Sequence, residues 1–166
     1  MKKNFLLFVI LLITTASQAQ QRTSGLETGV GFGAGLYTGE YSSMLKNVAA
    51  NIEGDYYITR QFSIFGHIDY NRTFSSESVD AGSFGFATSH IGPRVHFSKV
   101  LFAGAGAGAL LFTGNYGSTW DFSYLPQIGV VLNHLEFTAG YKGWVAESNN
   151  NGIIELGVVF KFNRIF

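Results

Sequence analysis

The sequence predicts an all-β fold: eight antiparallel strands closing an up-and-down transmembrane β-barrel. Three observations predict it. Apolar residues recur with a period of two, as where Ile154, Leu156, Val158, Phe160 and Phe162 alternate with Glu155, Gly157 and Lys161, only Val159 departing. Such alternation marks a strand with one oily and one polar face. The predicted connections alternate long, short, long, short, long, short, long, a rule that membrane barrels obey and a soluble sandwich has no reason to follow. Composition agrees, with 13 % charged residues, 16 % aromatics and 21 glycines among 166 residues. A soluble domain puts charge on about 25–35 % of its surface, so this chain is short of water-facing material.

The N-terminus sets an address before the barrel begins. Lys2 and Lys3 precede the apolar run from Phe5 to Ile13, and a polar stretch ends in Ser17-Gln18-Ala19. A basic region, a short apolar core and a small-residue cleavage site read as a secretory signal peptide. The run falls well below the about 20 residues that span a bilayer as a helix. The expected division is therefore residues 1–19 as signal peptide and 20–166 as the barrel domain. With no cysteine in the chain, lipid attachment through a thiol and disulfide stapling are both excluded.

The strands follow in order. Leu26 to Leu36 alternates large residues with Gly29, Gly31, Gly33 and Gly35, and a polar loop is expected from Tyr37 to Asn47. Val48 to Ile58 sets Val48, Ala50, Ile52 and Tyr56 against Asn51, Glu53 and Asp55, and Thr59-Arg60-Gln61 turns tightly into the third strand. There Phe62, Ile64, Ile68 and Tyr70 oppose Ser63, His67, Asp69 and Asn71, with the next long loop from Arg72 to Ser83. In the fourth strand Phe84, Phe86 and Thr88 keep one phase and Ile91, Val95 and Phe97 the other. The spacing predicts a β-bulge near Ser89-His90, beside which Pro93 is tolerable. Ser98-Lys99 turns into Leu101–Phe112, and Trp120 to Leu132 follows a loop at 113–119. Asn133-His134 turns into a seventh strand that sets Leu135, Phe137, Ala139 and Tyr141 against Glu136, Thr138 and Lys142. The last long loop is expected from Ala146 to Gly152.

Both termini and the three short turns would then lie on the periplasmic side. Aromatics would form two interfacial belts: Tyr37, Tyr70, Phe84, Phe112, Trp120, Tyr141 and Trp144 outside, Tyr57, Phe62, Phe97, Phe160 and Phe162 inside. On these strands, turns and belts the mature chain resembles the small bacterial outer-membrane β-barrel family typified by OmpX and the OmpA membrane domain. Glu155, Gly157, Phe160 and Phe162 resemble the C-terminal signal by which such barrels are handed to their assembly machinery. Asn163 to Phe166 follow that signal, although Phe166 keeps the even phase. The resemblance implies export to the cell outer membrane, with lipid as surroundings and the barrel-assembly machinery as a transient partner. A soluble lipocalin-like barrel would carry Lys and Glu on its wet face, whereas here that face is mostly Gly, Ala, Ser and Thr.

Regular-phase charges all fall on the polar face: Glu27, Glu53, Asp55, Asp69, Glu136, Lys142, Glu155 and Lys161, with His67 beside them and Arg94 and His96 joining through the bulge. None falls on the lipid face, where a midplane cation costs about 2–4 kcal/mol. Eight strands enclose room only for side chains, so these groups are expected to pair in a filled lumen; a narrow proton or ion path is the alternative.

Catalysis is not expected. Ser63, His67 and Asp69 share a face, but Ser63 and His67 lie roughly 13 Å apart at strand rise, too far for a nucleophile and its base. His67, His90, His96 and His134 show no metal-ligand spacing, and the Gly-Ala run at 103–109 lacks the Lys-Ser/Thr and helix of a phosphate loop. No cofactor, metal or nucleic-acid partner is implied, the net charge being zero. The expected role is a structural or surface-interaction barrel, with an accessory subunit of a larger outer-membrane complex as the alternative. For the latter, Ala103, Ala105, Ala107 and Ala109 of the fifth strand offer a smooth outward stripe for a protein partner or self-association.

Overall fold

A computed structural model describes residues 25–38, 45–75, 85–113, 120–146 and 149–162. The predicted signal peptide, most of the predicted loops, Phe84 and residues 163–166 lie outside the described residues. The strands are β1 (Gly25–Thr38), β2 (Leu45–Tyr57), β3 (Phe62–Ser75), β4 (Gly85–His96), β5 (Leu101–Thr113), β6 (Trp120–Leu132), β7 (Leu135–Ala146) and β8 (Asn149–Lys161). Each pairs antiparallel with its sequence neighbours, and β1 pairs with β8 to close the barrel. Closure leaves no unpaired strand edge, the condition for a sheet to cross hydrocarbon.

The tight turns are built locally. Thr59 Oγ1 accepts from the backbone N–H of Gln61 and Phe62 at 3.3 and 3.1 Å. Ser98 Oγ does the same for Val100 and Leu101 at 3.2 and 3.0 Å. Between β6 and β7, Asn133 takes φ of 54°, a left-handed conformation that Asn tolerates better than most residues.

Three expectations are corrected. The register of β4 is continuous with β3 from Phe62↔Val95 to Arg72↔Gly85, and with β5 on both sides of Gly92-Pro93. There is no bulge at Ser89-His90: Phe86 and Thr88 point inward in the same phase as His90, Arg94 and His96. The false phase change arose from counting Phe86 as an oily outer residue, when it packs inside. The long loop expected over 146–152 also contracts, because β7 and β8 stay paired to Ala146↔Asn149. Finally, Tyr37, Tyr57 and Trp144 are buried in the lumen and Phe112 packs against them or their neighbours. They therefore leave the belts, in which Tyr70 and Trp120 at the loop end and Phe160 and Phe162 at the turn end remain exposed.

Glycine in the wall serves the side chains facing it. A Cβ on Gly33 would press within 2.8 Å of the Glu155 carboxylate, and one on Gly106 within 2.9 Å of the Phe65 ring. The smooth inner faces of β1 and β5 are thus the recesses into which the large residues of other strands fit.

Candidate functional site: the lumen

Inward positions of seven strands place their polar groups in one buried column. Toward the short turns, Glu53 and Asp55 of β2, Arg94 of β4, Glu136 of β7 and Lys161 of β8 converge. Arg94 Nη1 donates to Asp55 Oδ2 at 2.8 Å and Glu53 Oε1 at 3.2 Å, and lies 3.1 Å from Glu136 Oε1. Lys161 Nζ donates to Glu53 Oε1 at 2.6 Å and Asp55 Oδ2 at 2.7 Å, with Glu136 Oε2 at 3.1 Å. Each cation therefore bridges the same three carboxylates. The Arg94 guanidinium is also flanked by the rings of Phe102 at 4.1 Å and Phe65 at 4.9 Å, a cation–π placement that strengthens when water is excluded. Oxygens of Glu53, Asp55 and Glu136 come within 4.8 Å of one another, a grouping able to hold a cation. Arg94 and Lys161 already stand among them.

A second cluster lies nearer the loop end. Lys142 of β7 donates to Asp69 of β3, to Glu155 Oε2 of β8 at 3.0 Å and to Asn71 Oδ1 at 3.2 Å. Asn71 and Thr88 both donate to Asp69, the latter at 2.7 Å. His67 joins the clusters, its Nδ1 3.4 Å from Glu53 Oε2 and its Nε2 3.0 Å from Asp69 Oδ2. An ionised carboxylate only accepts, so these two contacts need protons on both ring nitrogens, or one shared by a carboxylate. Near the turns, the buried Glu27 of β1 accepts from Tyr57 at 3.4 Å.

Apolar and aromatic side chains gather at both ends of the described column. At the loop end Tyr37, Phe86, Leu110, Trp144 and Ile153 form one apolar cluster with Phe112 packed on it, and Tyr37 donates or accepts at Thr73 Oγ1 over 2.7 Å. Toward the turns His96 lies between Tyr57 and Phe102, at ring-centroid distances of 5.0 and 5.8 Å. Between these stops Arg94, Lys142 and Lys161 are fully buried.

Strand spacing sets Ser63 too far from His67 to pair with it, and in the barrel its histidine neighbour is His96. Ser63 Oγ lies 3.2 Å from His96 Nε2, and Ser123 Oγ 2.9 Å from His90 Nε2. Both pairs are enclosed by the barrel wall. Ser123 spends its proton on the Gly143 carbonyl at 3.0 Å, so His90 must be the donor, and both serines have no solvent exposure. The signal for these contacts is cross-strand register, which a single strand's spacing does not carry.

The residues resembling an assembly signal divide by face. Glu155 and Gly157 point inward, Gly157 against Thr138, whereas Phe160 and Phe162 stand on the outer wall 6.0 Å apart, Phe160 stacked on His134. Replacing both phenylalanines with Ser should leave export intact but stall the chain in the periplasm, read by membrane fractionation and heat-modifiable gel mobility. Normal insertion of the double variant would show that the signal reading is wrong. The outward Ala103, Ala105, Ala107 and Ala109 line β5 as expected, Ala105 and Ala107 being exposed.

An eight-stranded, closed antiparallel barrel with an oily outside and an ion-paired inside defines a small transmembrane β-barrel. Solved structures of that class share the fold. Against the crystal structure of Ail, the attachment invasion locus protein of Yersinia pestis, the TM-score is 0.56 at 15 % identity, covering 86 % of this chain and 100 % of that one. Against the N-terminal β-barrel domain of Pseudomonas aeruginosa OprF it is 0.53 at 13 % identity, covering 84 % and 100 %. A de novo designed transmembrane β-barrel matches at 0.59 and 16 % identity, covering 85 % and 99 %. No family model and no curated protein matches the chain.

Proposed function

We propose that the chain is a sealed, non-catalytic barrel of the bacterial outer membrane, exported by a cleaved signal peptide, whose lumen is structural and whose dealings with other molecules take place on its outside. One observation carries this reading: both ion clusters lie buried between an apolar stop at one mouth and aromatic packing at the other. An interior of eight strands is just wide enough for side chains, and here these side chains are mutually paired rather than aimed at an open path. The fold cannot supply the function by itself, since a designed barrel shares it. The location is supported by the structural neighbour Ail, an outer membrane protein, and by the basic, apolar and small-residue order of the N-terminus.

In planar bilayers at neutral pH the purified barrel should show no stable open state. Steady conductance on the scale of a general porin overturns the sealed-lumen reading and favours an ion path along Glu53, His67 and Asp69.

A further inference from the structure

Lys46 and Arg72 fall in the long loops expected from the sequence, but β2 and β3 run far enough to take them in. Both then stand on the outer wall and are exposed. Among the described strand residues they are the outward charges, and no carboxylate shares that face with them. Lys46 lies opposite Phe74, and Arg72 opposite Val48. Such a diagonal pair has Cβ atoms about 7–8 Å apart, so two long side chains can close on one ligand between them.

A hydroxyl joins the pair. Arg72 is also the register partner of Gly85 on β4. The ring of Tyr70, two residues before Arg72 on the same face, lies over Gly85 in the space a Cβ would take, with its hydroxyl nearest. Glycine at 85 thus lets the phenol lean toward the loop end, and its hydroxyl arrives at the level of Arg72. Depth in the membrane follows from the same two residues. Tyr70 belongs to the loop-end belt, which marks the edge of the hydrocarbon. Two residues further is about 6.6 Å along a strand, or roughly 5 Å along the membrane normal at a tilt of about 40°. The polar layer on each side of the hydrocarbon is roughly 5–8 Å deep, so Arg72 stands among lipid headgroups.

We propose that Lys46, Arg72 and Tyr70 form a binding site for the phosphate of one anionic lipid in the leaflet facing the loops. A phosphate offers several acceptor oxygens, which suit a guanidinium fork, an ammonium and a phenol donor at once. The surroundings select a lipid over a free anion. Leu36, Val48 and Phe74 border the two cations and are exposed; they offer a soluble anion nothing, whereas a lipid lays its tails along them. The site rests on the barrel standing in a membrane and not on the lumen being sealed, so the conductance experiment does not bear on it. Heat-modifiable gel mobility after folding into phosphatidylcholine vesicles reads that membrane premise separately.

The test is native mass spectrometry of the folded barrel, released from detergent micelles supplied with equal amounts of phosphatidic acid and phosphatidylcholine. One phosphatidic acid should be retained in preference to phosphatidylcholine. Each cation near an anionic surface contributes about 1 kcal/mol. Lys46→Gln or Arg72→Gln should therefore weaken that binding about fivefold, and the two together about thirtyfold. Tyr70→Phe keeps the ring over Gly85 and should lose a few-fold less than either. Lys99→Gln, which removes an exposed cation at the turn end, should change nothing. If the double variant fails to fold, each single variant still carries the test. Retention of the lipid by the Gln variants overturns the proposal, as does a barrel with no preference between the two lipids. An equal loss in Lys99→Gln overturns it in favour of unspecific charge attraction. Displacement of the lipid by excess inorganic phosphate overturns it in favour of a soluble anion.

Discussion

Arg94→Met should destabilise the barrel by about 3–5 kcal/mol, the usual cost of breaking a buried ion pair by removing one partner. Arg94 contacts Glu53, Asp55 and Glu136, all buried, and shares them with Lys161. With all five groups ionised, three carboxylates and two cations leave one net negative charge. Losing Arg94 leaves three carboxylates on one cation, two net negative charges, all buried from solvent where screening is weak. Methionine conserves much of the packing between Phe65 and Phe102, so the loss measured is chiefly electrostatic. The sharper half of the prediction is the rescue. Adding Glu136→Gln returns the cluster to two carboxylates and one cation, the original net charge, and should recover most of the stability. Urea unfolding from lipid vesicles, followed by gel mobility, reads both variants. A single variant as stable as the original, or a double variant worse than the single, would falsify the view that charge balance holds this end of the lumen.

The strands were legible because both solvents of this protein, hydrocarbon outside and a polar column inside, enforce period two. β6 runs from Trp120 to Leu132 as its alternation predicts. The acidic and basic residues of the lumen follow from the same alternation: among the described strand residues the outward charges are Lys46 and Arg72, both at the loop ends of β2 and β3. Aromatic residues at strand ends were not, because an interfacial belt and a lumen stop recruit the same side chains. Trp144 shares the even phase of Glu136 and Lys142, and that parity, rather than its position near a loop, decides its place. In β4 the same parity links Thr88, His90, Arg94 and His96 without a bulge. Which lumen groups touch was beyond the sequence. His96 meets Ser63 and His90 meets Ser123 only because neighbouring strands are fixed in one register, and Lys161 reaches Glu53 only after β8 closes on β1.

Trp144→Ala should breach the loop-end stop. Trp144 sits edge-on to Tyr37 with ring centroids 6.0 Å apart, and equally far from Phe86. Its removal takes the largest side chain from the cluster that covers Lys142, Asp69 and Glu155. Truncation of a buried aromatic costs about 3–5 kcal/mol through lost contacts and the cavity left behind, large against the stability of a small domain. The cavity would border a polar cluster, so it should admit water rather than stay dry. Lys142, fully buried in the intact barrel, should then become reactive toward a small water-soluble amine reagent added from the loop side. Lys161, at the other end of the column, should stay protected. Reagent labelling of folded, vesicle-inserted protein, quantified at each lysine, separates this from general unfolding, which would expose both. If Lys142 remains as inert as before in a folded Trp144→Ala barrel, the aromatic cluster is not what keeps water from the ion network.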